Sequence, residues 1–248
     1  MSPTPPPTFE IELVSARLLA PKVRELVFAR VDGEIVEFEA GQWVSLLLGQ
    51  ETEVRRAYSI ASAPDGTPRF SLAVTLVEGG PGSQHLHDLK VGDRLRAIGP
   101  QGFFTRRNGY EEPALFVATG TGITPLRSMI AYGLTKDATS SIEAPATLLF
   151  GTRNEGDILY RDEFSGYEKE HAPFRFVPTL SQGSDAWTGS RGYVQLHVPT
   201  LYRELQARSS VPPHVYICGL QKMVSAVRDI LKNELGLPRE LVHSERYD

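Results

Sequence analysis

The chain has 248 residues, of which 41% are hydrophobic and 23% are charged, and its net charge is −4. This length suits two domains of ordinary size, and no apolar run approaches the roughly 20 residues that a membrane span needs. The single cysteine, Cys218, excludes an internal disulfide and an iron–sulfur cluster held within this chain, since a cluster takes about four ligands, mostly thiolates. Proteins that bind nucleic acids usually carry an excess of positive charge, so the negative net charge of this chain gives no overall sign of nucleic-acid binding.

Residues 1–8 contain Ser, Thr and Pro without basic residues or an apolar core, so no secretory signal is visible. We expect a disordered tail over residues 1–8 and a cytoplasmic, monomeric protein. No spacing of His, Cys, Asp and Glu predicts a metal site.

Short strands separated by Gly, Pro and Asp turns are predicted over the first hundred residues. They are Phe9–Leu18, Val23–Ala29, Trp43–Leu48, Ala57–Ile60, Phe70–Val77 and Arg94–Ile98. This spacing favours a small antiparallel barrel or sandwich. One short helix is predicted over Ser83–Leu89, with Ser83 as its N-cap.

From Pro113 onward, strands alternate with helices. The predicted strands are Ala114–Ala118, Ala146–Phe150, Phe174–Leu180 and Val215–Cys218, and the predicted helices are Pro125–Leu134, Arg161–Lys169, Leu196–Gln206 and Leu220–Leu235. This alternation indicates βαβ units and a parallel sheet. We place the domain boundary within residues 106–112, with a first domain over 9–108 and a second over 112–248.

A glycine-rich turn, Thr119-Gly120-Thr121-Gly122, follows the first buried strand of the second domain and opens a helix at Pro125. Glycines let the backbone approach a pyrophosphate, and a helix N-terminus offers free N–H groups. Pro125 at the first helical position is compatible with such an anion site. Taken alone, the turn also fits a tight strand–helix connection without a ligand.

The segment Arg56-Ala57-Tyr58-Ser59 lies between two apolar strand-like runs. An Arg can grip a phosphate bidentately, and Tyr58, two residues on, projects to the same side of an extended chain. Its ring could lie on a flavin face, with the Ser59 hydroxyl near flavin N5. Taken alone, the segment also fits an edge strand with an exposed Arg and a half-buried Tyr.

Two further glycine turns complete the set. Gly79-Gly80-Pro81-Gly82-Ser83 precedes the short predicted helix, which makes it a second anion cradle or a plain hairpin loop. Cys218-Gly219-Leu220 ends a late strand of the parallel sheet, where carboxyl ends face a ligand crevice. A lone cysteine is also commonly just a small buried hydrophobe.

Together these motifs resemble the ferredoxin–NADP+ reductase superfamily in residue type and in order. The resemblance covers roughly residues 9–248 and includes Gly151-Thr152-Arg153 and Glu245-Arg246-Tyr247. It implies an antiparallel β-barrel FAD domain followed by an α/β parallel-sheet, Rossmann-like NAD(P) domain. Asp248 departs from the pattern, since plastid-type relatives end on the aromatic residue.

The resemblance also implies roles for single residues. Catalytic geometry is assigned to Ser59, Cys218 and Glu245. FAD contacts are assigned to Arg56, Ala57, Tyr58, Ser59, Val74, Gly80, Gly82, Ser83, Thr121 and Tyr247. NAD(P) contacts are assigned to Gly120, Thr121, Gly122, Thr152, Arg153, Ser181, Gln182, Arg191, Cys218, Gly219 and Leu220.

Coenzyme choice depends on a departure at Ser181-Gln182. NADP-specific members of the superfamily typically carry Ser-Arg there, and a neutral Gln supplies no charge against a 2′-phosphate. Because Arg153 and Arg191 remain available, we lean slightly to NADPH over NADH.

The predicted function is hydride transfer between NAD(P)H and FAD, with single electrons passed to or from ferredoxin or flavodoxin. Three alternatives stay open: the reductase component of an oxygenase or hydroxylase, a flavin or quinone reductase, and a nucleotide-binding regulatory subunit. Oxygenase reductases of this kind often carry a fused plant-type ferredoxin domain.

Overall fold

Two six-stranded sheets, the first antiparallel and the second parallel, organise the chain. The computed structural model describes residues 6–48, 54–106, 111–135 and 144–247. The predicted fold class is confirmed. Residues 1–5 of the predicted tail, residues 107–110 of the predicted boundary and Asp248 lie outside the described residues. The boundary within 106–112 therefore stays a prediction.

The first sheet has the strand order β4-β3-β6-β1-β2-β5, with antiparallel neighbours throughout. Its terminal strands β4 and β5 approach each other, which gives the sheet a barrel-like closure around an apolar core. Its elements are β1 (Thr8–Ala20), β2 (Val23–Arg30), β3 (Trp43–Leu48), β4 (Val54–Ser59), β5 (Arg69–Thr75), α1 (Pro81–Asp88) and β6 (Arg94–Gln101).

The second sheet has the order β10-β9-β8-β7-β11-β12, and all its strands run parallel. Its strands are β7 (Ala114–Thr119), β8 (Ala146–Thr152), β9 (Phe174–Leu180), β10 (Ser190–Arg191), β11 (His214–Leu220) and β12 (Val242–Tyr247). Its helices are α2 (Ile123–Thr135), α3 (Arg161–Glu170), α4 (Val198–Gln206) and α5 (Gln221–Asn233).

Helices cover both faces of the parallel sheet, as expected when strands are apolar on both sides. Helices α2 and α3 pack on one face, and α4 and α5 pack on the other. The core under α2 continues into the first domain, because Ala20, Ala40 and Phe104 belong to the same buried cluster. Among the described residues, none of the helices has the length and apolar character needed to cross a bilayer.

The structure corrects the predicted starts of two helices. Helix α1 starts at Pro81 with Gly80 as N-cap, so Ser83 is not the cap; its hydroxyl instead accepts the Val77 N–H at 3.0 Å and donates to the Gly80 carbonyl. Helix α2 starts at Ile123 after a 3-10 turn over Gly120–Gly122, so Pro125 is its third residue. A proline is tolerated there because first-turn N–H groups lack helical partners.

Strand β12 was not predicted from the sequence. Its residues, Val-His-Ser-Glu-Arg-Tyr, are mostly polar and show no apolar alternation that would predict a strand. The strand forms because it pairs in parallel with β11 and packs against α5. The first strand also begins one residue inside the predicted tail, at Thr8.

Candidate active site

A cavity of about 830 Å³ lies between the two domains. Strands β4 and β5 and the start of α1 form one wall, and the carboxyl ends of β7, β11 and β12 form the other. The predicted site residues that line it are Arg56, Ala57, Tyr58, Ser59, Gly80, Gly82, Ser83, Gly120, Thr121, Gly122, Gly219, Leu220, Glu245 and Tyr247. All three glycine turns and the Arg-x-Tyr-Ser segment therefore meet in one cleft.

In the first wall, Arg56 lies beside the N-terminus of helix α1. A Cβ built on Gly82 would lie 3.3 Å from Leu48 Cδ1 and 3.4 Å from Arg56 Cγ, so α1 packs closely against the exposed Arg56. A guanidinium and free helix N–H groups on one surface suit a phosphate. Tyr58, half-buried on the same strand, has its pKa raised by burial, although nearby Arg56 partly offsets this.

In the second wall, the end of β11 lies very close to the Gly120–Gly122 turn. A Cβ built on Gly122 would lie 2.6 Å from the Cys218 carbonyl carbon and 2.7 Å from Gly219 Cα, so the turn rests directly on the end of β11. Gly120 adopts a φ of +54°, a conformation that favours glycine. Both glycines therefore have a backbone reason to be there, beyond any ligand.

Four hydroxyl and carboxyl groups from both domains form one hydrogen-bonded cluster at the centre of the cleft. Tyr247 Oη donates to Ser59 Oγ at 2.6 Å, and Ser59 Oγ donates to Glu245 Oε1 at 3.1 Å. Thr124 Oγ1 lies 3.1 Å from Tyr247 Oη. The cluster joins β4, β12 and the start of α2, so it exists only when the domains are docked.

Burial raises the pKa of Glu245, and the hydrogen bond from Ser59 only partly offsets this. The folded protein therefore retains the Glu245 proton at a higher pH than the unfolded chain does. Stability is lost as pH rises from the unfolded pKa through the folded one, because the unfolded chain then releases a proton that the folded state holds.

Replacing Glu245 by glutamine should remove this pH-dependent loss. We expect the Glu245→Gln variant to melt at a higher temperature than the parent protein near pH 7 to 8, with the difference shrinking toward about pH 4. Circular dichroism melting of the flavin-free protein across that range measures it. Glu37→Gln, at an exposed loop position, should match the parent throughout. A Glu245→Gln melting curve that never departs from the parent would contradict the buried, proton-retaining carboxyl.

Cys218 lies beneath the cleft rather than in its lining. Its side chain is fully buried in the core under α2, and burial raises the pKa of the thiol well above its ordinary value. The nearby Glu245 carboxylate acts in the same direction. The side chain is thus a neutral thiol that supports the floor of the site, since a reactive cysteine needs an exposed, electropositive setting.

The remaining predicted nucleotide residues lie outside the cavity, at the neighbouring carboxyl ends of β8 and β9. The backbone N–H groups of Ser181 and Gln182 donate to the carbonyls of Thr152 and Arg153, at 3.0 and 2.9 Å. Arg153 and Gln182 are exposed there.

Arg191, on β10, is committed to its own loop. Its guanidinium donates to the carbonyls of Gly183, Ser184 and Trp187 at 2.7 to 3.0 Å. Glu155, which the sequence did not single out, accepts hydrogen bonds from the Ser184 N–H and hydroxyl at 2.9 and 2.6 Å. The Glu155 carboxylate therefore lies against the loop that follows Gln182, the residue expected to face the 2′-group of the nucleotide.

Val74, predicted as an FAD contact, does not turn its side chain to the cleft. Val74 packs in the barrel core, and its strand neighbours Ala73 and Thr75 line the cleft instead. Strand alternation could have found them, since adjacent residues face opposite sides. Other cleft residues missed from the sequence are Trp43, Val77, Pro81, Thr119, Thr124 and Arg246.

Comparison with known proteins decides the family. A family model for the oxidoreductase FAD-binding domain matches residues 10–105, and one for the oxidoreductase NAD-binding domain matches residues 116–229. Ferredoxin--NADP reductase B of Sorangium cellulosum (strain So ce56) is 57% identical over 242 residues, covering 97% of this chain and 98% of that protein. The chain belongs to the ferredoxin–NADP reductase family of flavoproteins.

A further relative and a solved structure share less sequence with this reductase. The Phenol hydroxylase P5 protein of Acinetobacter pittii (strain PHEA-2) is 30% identical over 217 residues, which cover 86% of this chain but 58% of that protein. Among solved structures, Ferredoxin-NADP+ reductase from Plasmodium falciparum has a TM-score of 0.81 at 26% identity, covering 97% of this chain and 96% of that one.

As a family member, the chain is an FAD-dependent oxidoreductase that uses a nicotinamide nucleotide, and its cleft fits both groups. Arg56 and the start of α1 line the cavity on one side, and the Gly120–Gly122 turn before α2 lines it on the other, so a guanidinium and two helix starts, which suit diphosphates, border the same space. The cavity opens to both cradles and has a volume within the ordinary range for cofactor sites.

Proposed function

We propose that the protein reduces FAD with NADPH and delivers the electrons to a ferredoxin or flavodoxin. The observation that carries this is the 57% identity, along nearly the whole chain, to a protein named as a ferredoxin–NADP reductase. Bound FAD supplies the chemistry that links a two-electron hydride donor to a carrier taking electrons singly. The reverse direction uses the same residues.

In this proposal, the first domain holds the flavin. Arg56 and the α1 N-terminus, with Gly80, Gly82 and Ser83, bind its diphosphate, and Tyr58 stacks on its ring. This proposal is supported by the exposed Arg56 guanidinium, the start of α1 and the half-buried Tyr58 ring, which all lie on one wall of the cavity. Ser59, beside them, presents its hydroxyl toward Glu245.

The second domain holds the nicotinamide nucleotide at Gly120–Gly122, with Thr152, Arg153, Ser181 and Gln182 outside the cavity for its adenosine end. Tyr247 fills the centre of the cleft through its bonds to Ser59 and Thr124. We propose that its ring covers the second flavin face and moves when the nicotinamide enters. Glu245 accepts the hydrogen bond from the Ser59 hydroxyl, and the buried Cys218 supports Gly122 from below.

Stopped-flow absorbance of the FAD-loaded protein tests the proposal. Mixing with NADPH should bleach the flavin band promptly, and adding oxidised plant-type ferredoxin or flavodoxin should restore it. The proposal fails if neither NADPH nor NADH bleaches the band, or if the reduced flavin is not reoxidised by either carrier under anaerobic conditions.

A reductase component for an oxygenase is the second candidate, favoured by the 30% identity to the Phenol hydroxylase P5 protein. In that case NADH should bleach the flavin faster than NADPH, and the partner iron–sulfur protein of an oxygenase should reoxidise it faster than a flavodoxin. The cytoplasmic location and the monomeric state stay predictions from the sequence.

Coenzyme preference has a test of its own at Gln182. Replacing Gln182 by arginine adds a cation at the carboxyl end of β9, where it can pair with a 2′-phosphate. We expect the ratio of kcat/KM for NADPH over NADH to rise about 10-fold or more, the effect of one charge-assisted hydrogen bond. Gln182→Met, which adds no charge, is the matched control. An unchanged ratio in the arginine variant would mean that the 2′-group is held elsewhere.

A further inference from the structure

Helix α2 contacts the first domain through three consecutive residues, Arg127, Ser128 and Met129. Arg127 Nη1 donates to the Ala61 carbonyl oxygen at 2.8 Å, and Ser128 Oγ donates to the Ser62 carbonyl oxygen at 2.7 Å. Met129 is fully buried, and a Cβ built on Gly41 would lie 2.5 Å from its Cε atom. Two directional hydrogen bonds and one tight contact therefore fix α2 against the first domain.

The guanidinium of Arg127 is itself held rigidly by the second domain. Its Nε and Nη2 atoms each donate to a different oxygen of Glu163 at 2.9 Å, and the Tyr167 hydroxyl supports that carboxylate at 3.2 Å. The guanidinium carbon lies 4.2 Å from the centre of the Tyr160 ring. Bidentate pairing and ring stacking give an arginine a defined orientation, which aims the remaining Nη1 at Ala61.

The two acceptor carbonyls belong to the segment that carries Ser59. Ala61 and Ser62 are the second and third residues after Ser59, and Ile60, between Ser59 and Ala61, is fully buried. On the other side, Arg127 is the fifth residue of α2, directly after the Gly120–Gly122 turn. A short, hydrogen-bonded route thus joins the Ser59 hydroxyl to the nucleotide turn.

We propose that Arg127 and Ser128 are positioning residues that set the distance between Ser59 and the Gly120–Gly122 turn. The inference rests on the proposed function, in which these two places hold the hydride acceptor and the hydride donor. Transfer between bound groups is steeply sensitive to placement, since an error of about 1 Å can cost roughly 100-fold in rate. General interdomain adhesion would instead affect stability without a selective effect on transfer.

The test uses Arg127→Lys, Arg127→Gln and Ser128→Ala in the FAD-loaded protein. Saturating stopped-flow reduction gives the limiting rate and the apparent nucleotide Kd separately. We expect the limiting rate to fall about 10-fold or more in Arg127→Gln, and less in Arg127→Lys, which keeps the charge opposite Glu163. The apparent Kd should change less than about 3-fold, because the nucleotide turn itself is intact. Ser128→Ala, the smallest change, should lower the limiting rate in the same selective way.

A second readout does not depend on flavin or on turnover. Hydrogen exchange of the flavin-free protein should show faster exchange over residues 60–63 and 123–130 in the Arg127 variants. Arg175→Lys is the matched control, because Arg175 forms a 2.6 Å ion pair with Glu204 within the second domain. Its rates and exchange should match those of the parent protein.

The inference is overturned if the Arg127 and Ser128 variants reduce flavin at the parent rate, or if rate and nucleotide affinity fall together. A parent protein whose flavin no nucleotide bleaches would instead refute the proposed function. Hydrogen exchange alone would then decide the docking role: unchanged exchange over 60–63 in Arg127→Gln would refute it.

Discussion

Replacing Gly122 by alanine is expected to destabilise the protein by about 3 kcal/mol or more and to abolish tight nucleotide binding. The added Cβ would lie 2.6 Å from the Cys218 carbonyl carbon and 2.7 Å from Gly219 Cα. Both are backbone atoms of β11, which is paired with β7 on one side and β12 on the other, so neither can rotate away. The turn must lift off the strand, which displaces the N–H groups that we propose face the nucleotide diphosphate. Urea unfolding and equilibrium titration with NADP+ measure the two effects.

Gly166→Ala is the control for this change. Gly166 lies within α3, and a Cβ there would meet no atom within 4 Å. Alanine should therefore stabilise the helix by about 0.5–1 kcal/mol and leave nucleotide binding unchanged. A Gly122→Ala protein as stable as the parent, with undiminished nucleotide affinity, would show that the turn does not rest on β11.

Replacing Tyr58 by alanine is expected to weaken FAD binding by about 10- to 100-fold. The ring lines the cavity beside Arg56, and loss of a stacked aromatic ring costs about 1–3 kcal/mol per stacked base. Titration of the flavin-free protein with FAD, followed by quenching of flavin fluorescence, gives the dissociation constant directly. Tyr58 also packs against the edge of the barrel core, so urea unfolding of the flavin-free variant separates lost FAD affinity from lost fold stability.

Tyr58→Phe is the matched control, because it keeps the ring and removes only the hydroxyl. It should bind FAD within about 3-fold of the parent protein if stacking dominates. Equal loss of affinity in both variants would assign the contribution to the hydroxyl, and unchanged affinity in Tyr58→Ala would refute the stacking role.

The architecture followed from the sequence because its signals are local. Gly and Pro turns separate the short strands of the first domain, and the apolar runs at 114–118 and 146–150 mark buried parallel strands. The glycine turns also lead directly to the cleft, since their backbone requirements are visible in residue type. Helix starts were less accurate, because Ser83 has the chemistry of a cap but bonds to Val77 instead.

Long-range partners were hidden for a physical reason. The hydrogen bonds from Tyr247 to Ser59 and from Arg127 to Ala61 cannot be predicted from local sequence patterns. Each pair meets only because the two domains dock. The polar strand β12 carries no hydrophobic alternation, and Arg191 looks available in sequence although its loop carbonyls occupy it. Tertiary context, not propensity, decides such positions.

The buried cluster that takes in Ala20, Ala40 and Phe104 along with helix α2 has a thermodynamic consequence. Separating the two domains would expose apolar side chains of both to water, so unfolding of one domain would also destabilise the other. Calorimetry should then record one endotherm in which the calorimetric and van't Hoff enthalpies agree, rather than two resolved peaks.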